Sequence, residues 1–269
     1  MGIAIAANRD RAIVDFVGRY GVVSTPHVTQ ALGLSPRTAH RRIAACIEGR
    51  LLKRFRVLAG DPSLLCATSG GLRYAGLHLK PATVHLASLE HRLRCASAAQ
   101  LLSQEFDPDQ ILSERQLTYA ERLAGKPLFS ARLPSAQLHR PDLVVLPNAA
   151  ADGASASDWG CVWPSSSRTQ GGPRRERTDV RDQAARTEDK EIRRATHITQ
   201  PIAVEVELSA KNPQRLTAII RAWKQATHIS EVRYYAKPGP TARAVQRAIS
   251  KAGASNRIHL YEAPPRLPT

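Results

Sequence analysis

The stretch ALGLSPRTAHRRIAACIEGRLLKRFRV, from Ala31 to Val57, decides how the first part of this chain is read. Ser35-Pro36 is a helix start signal. The hydroxyl caps free N–H groups, and proline lacks an N–H where the first turn needs none. From there to about Gly49, apolar positions fall at Ala39, Ile43, Cys46 and Ile47, one face at a period of 3.6. The opposite face gathers Arg37, His40, Arg41 and Ala44. Long basic side chains beside a small one keep a helix slim enough for a major groove and charged enough for phosphates.

Upstream, Asp10 to Arg19 carries Ile13, Val14, Phe16 and Val17 on one helical face, and Gly21 ends it. A second helix starts at Thr25-Pro26, with Thr25 as N-cap and with Val28, Ala31 and Leu32 turned inward. Gly33 supplies the turn. Two helices joined by a tight glycine turn, the second basic outside, form a helix-turn-helix pattern. Downstream, Leu51 to Leu58 alternates Lys53, Arg54 and Arg56 with Phe55 and Val57, as an exposed strand does. Gly60-Asp61-Pro62 turns the chain, Leu64, Leu65 and Ala67 return it, and Thr68-Ser69-Gly70-Gly71 opens a short helix around Leu72 and Tyr74. Residues 1–80 hold twelve Lys or Arg against four Asp or Glu. Arg37, His40, Arg41, Lys53, Arg54 and Arg56 are therefore the candidate contacts to double-stranded DNA. The competing reading is a protein-interaction module with a solvated basic face.

The whole chain of 269 residues suits two domains, 1–80 and 81–269. Its formal charge of +16 favours phosphate backbones or anionic surfaces. Aromatic residues make up 5%, which argues against a stacking platform for single strands and disfavours, without excluding, an RNA partner. Cys46, Cys66, Cys95 and Cys161 form no CxxC pair. That spacing suggests neither a zinc site nor a disulfide framework, and three of the four read as core fillers in a reducing cytoplasm. The short apolar start before Arg9 is neither a signal peptide nor a span, so no membrane partner is expected. A homodimer on paired half-sites is compatible with the pattern.

After Pro81 the pattern becomes α/β. Leu86 to Gln104 reads as an amphipathic helix with Leu89, Leu93, Ala96 and Leu101 apolar, and Ile111 to Leu117 as a strand. Leu138 to Leu146, containing HRPDLVVLP, reads as a strand broken early by Pro141. In Ile202 to Lys211, IAVEVELSAK, one strand face carries Ile202, Val204, Val206 and Leu208, and the other carries Glu205, Glu207 and Ser209. Strands of such sheets are normally apolar on both faces, so two carboxylates there are costly unless bound to a cation or well hydrogen-bonded. Arg or Lys would serve, and so would a divalent metal. Helices at 213–226 and 242–252 alternate with strands at 232–236 and 258–261. Residues 148–199, rich in Ser, Gly, Arg, Asp and Glu, read as a disordered insertion.

HRPDLVV followed by VAVEVELSAK resembles the PD-(D/E)xK nuclease superfamily. Joined to a winged helix, it is similar to the replication-relaxation group of plasmid and mobile-element proteins. The resemblance implies an N-terminal winged helix-turn-helix and a C-terminal restriction-endonuclease-like mixed sheet flanked by helices. The family's Pro-Asp falls on Pro141-Asp142 and its acidic position on Glu205, while its lysine position holds Glu207. On this pattern Asp142, Glu205 and Glu207 are the metal ligands, for Mg²⁺ or Mn²⁺. Glu207 would orient or deprotonate a water, Lys211 would steady the phosphate, and Glu114, ahead of Glu105, is the additional upstream carboxylate. The implied function is metal-dependent DNA cleavage in mobile-element replication, transfer or defence. The alternative is a non-catalytic DNA-binding regulator that retains the scaffold.

Overall fold

The computed structural model describes residues 2–56, 63–147 and 201–265, with side chains from position 8 onward. The expected turn at Gly60-Asp61-Pro62 and the insertion at 148–199, with Cys161, lie outside these residues.

The chain opens with α1 (Gly2–Tyr20), β1 (Val23–Ser24), α2 (Thr25–Ala31) and α3 (Pro36–Glu48), followed by β2 (Leu52–Phe55), β3 (Leu64–Ala67) and α4 (Ser69–Ala75). Helix α1 starts well before the expected Asp10, because the Ala- and Ile-rich stretch ahead of it propagates the helix. Gly21, at φ +79°, ends it. The cap of α2 is Ser24, one residue before the expected Thr25, and Pro26 sits in the first turn. Ser35 caps α3 as expected, its hydroxyl accepting from the Thr38 N–H. Strands β1, β3 and β2 form an antiparallel sheet in that order. Where α4 passes β2, only glycine fits. A Cβ on Gly71 would lie 2.0 Å from the Leu51 carbonyl oxygen.

The remainder is mixed α/β. It comprises α5 (Leu86–Leu102), a 3₁₀ turn (Pro108–Gln110), β4 (Ile111–Ser113), α6 (Glu114–Ala124), β5 (Ala131–Arg132), β6 (Leu138–His139), β7 (Leu143–Val145) and β8 (Ile202–Glu207). Then come α7 (Pro213–Gln225), β9 (Glu231–Ala236), α8 (Pro240–Ala252) and β10 (Ile258–Glu262). Five strands form one sheet in the order β10-β9-β8-β7-β4, parallel on the β10-β9-β8 side and antiparallel on the other. The expected strand at Ile111–Leu117 stops at Ser113. A capping box, in which the Ser113 N–H donates to Gln116 Oε1 (3.0 Å) and the Gln116 N–H to Ser113 Oγ, turns the chain into α6.

Side chains alternate between the two faces of this sheet. Val204, Val206, Leu143 and Val145 join a core that continues through Ala96 and Ala99 of α5 to Ile13, Val17 and Leu65. Ala203, Val144 and Tyr234 face the other way, onto Leu216, Ile220 and Trp223 of α7 and Val245 and Ile249 of α8. Each fully buried Leu or Ile contributes roughly 1.5–3 kcal/mol. Helix α5 is enclosed along residues 96–100, although Leu101, read as part of its apolar face, is 39% exposed.

The first core therefore runs without interruption across position 80. Polar contacts reinforce it. Buried His27 on α2 lies with Nε2 3.1 Å from the Leu93 carbonyl, and its Nδ1 accepts from the Ser24 backbone N–H at 3.3 Å. Ser113 Oγ donates to the Arg19 carbonyl at 2.7 Å. Arg115 donates to the carbonyls of Gly18 and Lys80.

Candidate functional site

Two surfaces carry the residues singled out from the sequence. On α3, Arg37, His40, Arg41 and Ala44 are exposed and Ala39, Ile43 and Cys46 are buried, the division its periodicity dictates. Arg42, between them in sequence, turns inward and pairs with Asp10 of α1 through two hydrogen bonds. Lys53, Arg54 and Arg56 are exposed on and just beyond β2, an edge strand. The basic side chains of α3 and β2 thus belong to neighbouring elements, and the inward charge is neutralised within the fold.

The second surface lies at one end of the five-stranded sheet. Register places Ser113 opposite Leu143 and Leu143 opposite Val204, so β4 ends, β7 begins and β8 ends at this same pole. Asp142 sits just before β7. Its backbone N–H donates to the Val204 carbonyl (3.0 Å), and its Oδ2 accepts from the Val206 N–H (2.8 Å). Asp142 Oδ1 lies 2.9 Å from His91 Nε2. That hydrogen bond raises the His91 pKa above the ordinary imidazole range against the pull of burial.

Glu205 points to the opposite face, 3% exposed, where its Oε1 takes the indole N–H of Trp223 (3.1 Å) and lies 2.8 Å from His139 Nε2. Burial pushes the Glu205 carboxyl upward despite the histidine. Burial alone would lower His139, but the Glu205 charge and hydrogen bond outweigh it and raise the imidazole. Glu207, equally buried, pairs with Lys211. Glu114 is exposed at the first turn of α6 and borders, with Asp142, a cavity of about 420 Å³. Arg19, Arg92, Arg115 and Arg122 line the same cavity. Glu105 is elsewhere, bound through both oxygens by Arg233.

The structure thus brings Asp142, Glu205, Glu207, Lys211 and Glu114 to one pole of the sheet. It also adds His91, Cys95 and His139, which were not singled out from the sequence. Cys95 Sγ lies 3.5 Å from His91 Nε2, and burial raises its thiol pKa well above the ordinary value. The spacing of His91 and Cys95, four apart on a predicted helix, was the available signal.

Hard cations such as Mg²⁺ take oxygen ligands and keep several waters. Here both Asp142 oxygens are engaged, Glu205 Oε1 is shared by two donors, and Glu207 has a lysine partner. As arranged, the three carboxylates offer Mg²⁺ or Mn²⁺ no shared set of oxygens: histidine, indole, backbone and lysine donors hold them, and among the described residues the ligand atoms that converge are those of His91, Cys95 and Asp142, with a single carboxylate. Among the described residues, no helix is long and apolar enough to cross a membrane. Compared with known proteins, the chain matches no family model, no curated protein and no solved structure.

Proposed function

We propose that this chain is a double-stranded DNA-binding protein. Residues 1–80 act as a winged helix-turn-helix, and residues 81–269 as a restriction-endonuclease-like scaffold that holds it without cutting. The observation that carries this reading is the outward face of α3, where Arg37, His40 and Arg41 flank Ala44, beside an edge strand bearing Lys53, Arg54 and Arg56. A helix of that shape suits the major groove, and the strand suits the flanking phosphates. The non-cutting half of the reading is supported by the histidine and lysine partners of the sheet carboxylates. Regulation of plasmid or mobile-element replication is the role that the sequence resemblance suggests.

The test is anisotropy of labelled duplex DNA across a salt series. Wild type should bind with strong salt dependence. Removing one phosphate contact, as in Arg54→Ala, should reduce the log–log slope by about 1. An Arg37→Ala/Arg41→Ala variant should lose the preference for a selected site over random duplex. Unchanged binding in both variants overturns the reading.

One observation favours metal-dependent DNA cleavage instead: Asp142 and Glu114 share a cavity with four arginines that would suit a phosphate. Nicking of supercoiled DNA with Mg²⁺ or Mn²⁺, abolished by EDTA and in Asp142→Ala, would establish that activity. Tight binding without nicking supports the regulator.

A further inference from the structure

We infer that His91, Cys95 and Asp142 form a binding site for a single borderline transition-metal ion of the Zn²⁺ or Co²⁺ class. One ligand atom from each residue lies within 4.8 Å of the other two. The separations are 3.5 Å from Cys95 Sγ to His91 Nε2 and 2.9 Å from His91 Nε2 to Asp142 Oδ1. Tetrahedral zinc with ordinary bond lengths sets sulfur and nitrogen about 3.6 Å apart, and nitrogen and oxygen about 3.3 Å apart. The first is met already, and the second needs a shift of a few tenths of an ångström.

The donors are also held in place. His91 and Cys95 stand one turn apart on α5, and the turn that follows Cys95 is fully enclosed, residues 96 to 100 all being buried. Asp142 Oδ2 is fixed by the Val206 N–H, so the carboxylate presents Oδ1 to the other two ligands. Such outer contacts orient ligands in metal sites generally. A set of imidazole, thiolate and a single carboxylate selects zinc-class ions over magnesium, whose preference is for oxygen alone. The same three residues line the arginine-bordered cavity, which leaves a fourth position open to water or to an anion. The site is separate from Glu205 and Glu207, and it does not depend on the DNA-binding reading.

The experiment uses the full chain, stripped with chelator and titrated with Co²⁺ alone, followed by optical spectroscopy and then by Zn²⁺ displacement. The expected result is one Co²⁺ per chain, with a thiolate-to-cobalt charge-transfer band and the visible bands of a tetrahedral ion, all bleached by Zn²⁺ but not by excess Mg²⁺. Cys95→Ser should lose the charge-transfer band. Asp142→Asn should weaken Zn²⁺ binding by at least about tenfold, the loss typical of an outer-shell partner being a lower bound for a ligand. A Cys46→Ser/Cys66→Ser/Cys161→Ser background should retain the whole spectrum. His91→Gln should also lose the tetrahedral visible bands, and circular dichroism establishes that each variant is folded. A folded wild type that takes up no Co²⁺, or a Cys95→Ser variant with an unchanged charge-transfer band, overturns the site.

Discussion

At the scale of single residues, His27 shows how the fold handles a polar group it has buried. The ring is 3% exposed, accepts a hydrogen bond from Ser24 on one nitrogen, and meets Leu93 and Ser97 on the other. That geometry suits the neutral tautomer with the proton on Nε2, donating to the Leu93 carbonyl. Desolvation accordingly lowers its pKa to about 4. An unfolded histidine titrates near about 6.5, so between the two values only the unfolded chain takes up the proton. The stability that His27 contributes is complete above the unfolded value and is lost as pH falls towards the folded one. Urea unfolding should show a loss of about 2 kcal/mol between roughly pH 7.5 and pH 5, and the loss should be absent in His27→Gln. Equal losses in both proteins would assign the pH dependence to other groups.

At the scale of elements, β7 and β8 are hydrogen-bonded neighbours, Val145 lying opposite Ile202, although residues 148–200 separate them in sequence. The entropy of closing so long a connection grows with the logarithm of its length. Replacing 148–200 by a four-residue turn should preserve the fold and raise the unfolding free energy by about 2 kcal/mol. A lower stability would show that the segment packs against the rest.

Elements with strong periodicity and clear punctuation were legible in the sequence. Helix α3 follows from Ser35-Pro36 and its four apolar positions. Strand β8 follows from its alternation, and α7 from Leu216, Ile219, Ile220 and Trp223, all of which are buried. Helix α6 is hidden in the sequence because the apolar run Ile111-Leu112 resumes at Leu117, which favours a continuous strand over the weaker Ser113–Gln116 capping signature. Of the site, the adjacency of the segments bearing Asp142 and Glu205 could be anticipated from RPD and EVE, whereas their carboxylates turn to opposite faces of the sheet. The histidines that answer them could not be anticipated. His91 and Cys95 come from a helix some fifty residues upstream of Asp142 and reach it through tertiary packing alone, a contact that cysteine spacing along the chain does not encode.

At the scale of the whole molecule, the core that joins Ile13 and Leu65 to Ala96 and Val204 spans the position where a two-domain reading divides the chain. Arg115 and Ser113 add hydrogen bonds across that position. Burial shared in this way couples the halves. Urea unfolding followed by Trp223-dominated fluorescence, in a protein carrying the short turn for 148–200, should coincide with far-ultraviolet circular dichroism in a single transition. Two separated transitions would show that each half keeps its own stability.

Asp142 stands at one end of β7, and Pro147 and Pro201 at the other, about five residues or roughly 17 Å of strand away. The sheet therefore has a chemical pole and a tethering pole. Whatever occupies positions 148–200, whether a native segment, a reporter or a second protein spliced in its place, enters and leaves through adjacent strand ends that face away from the carboxylates. A change of length or sequence between Pro147 and Pro201 is therefore expected to leave the carboxylate pole in place.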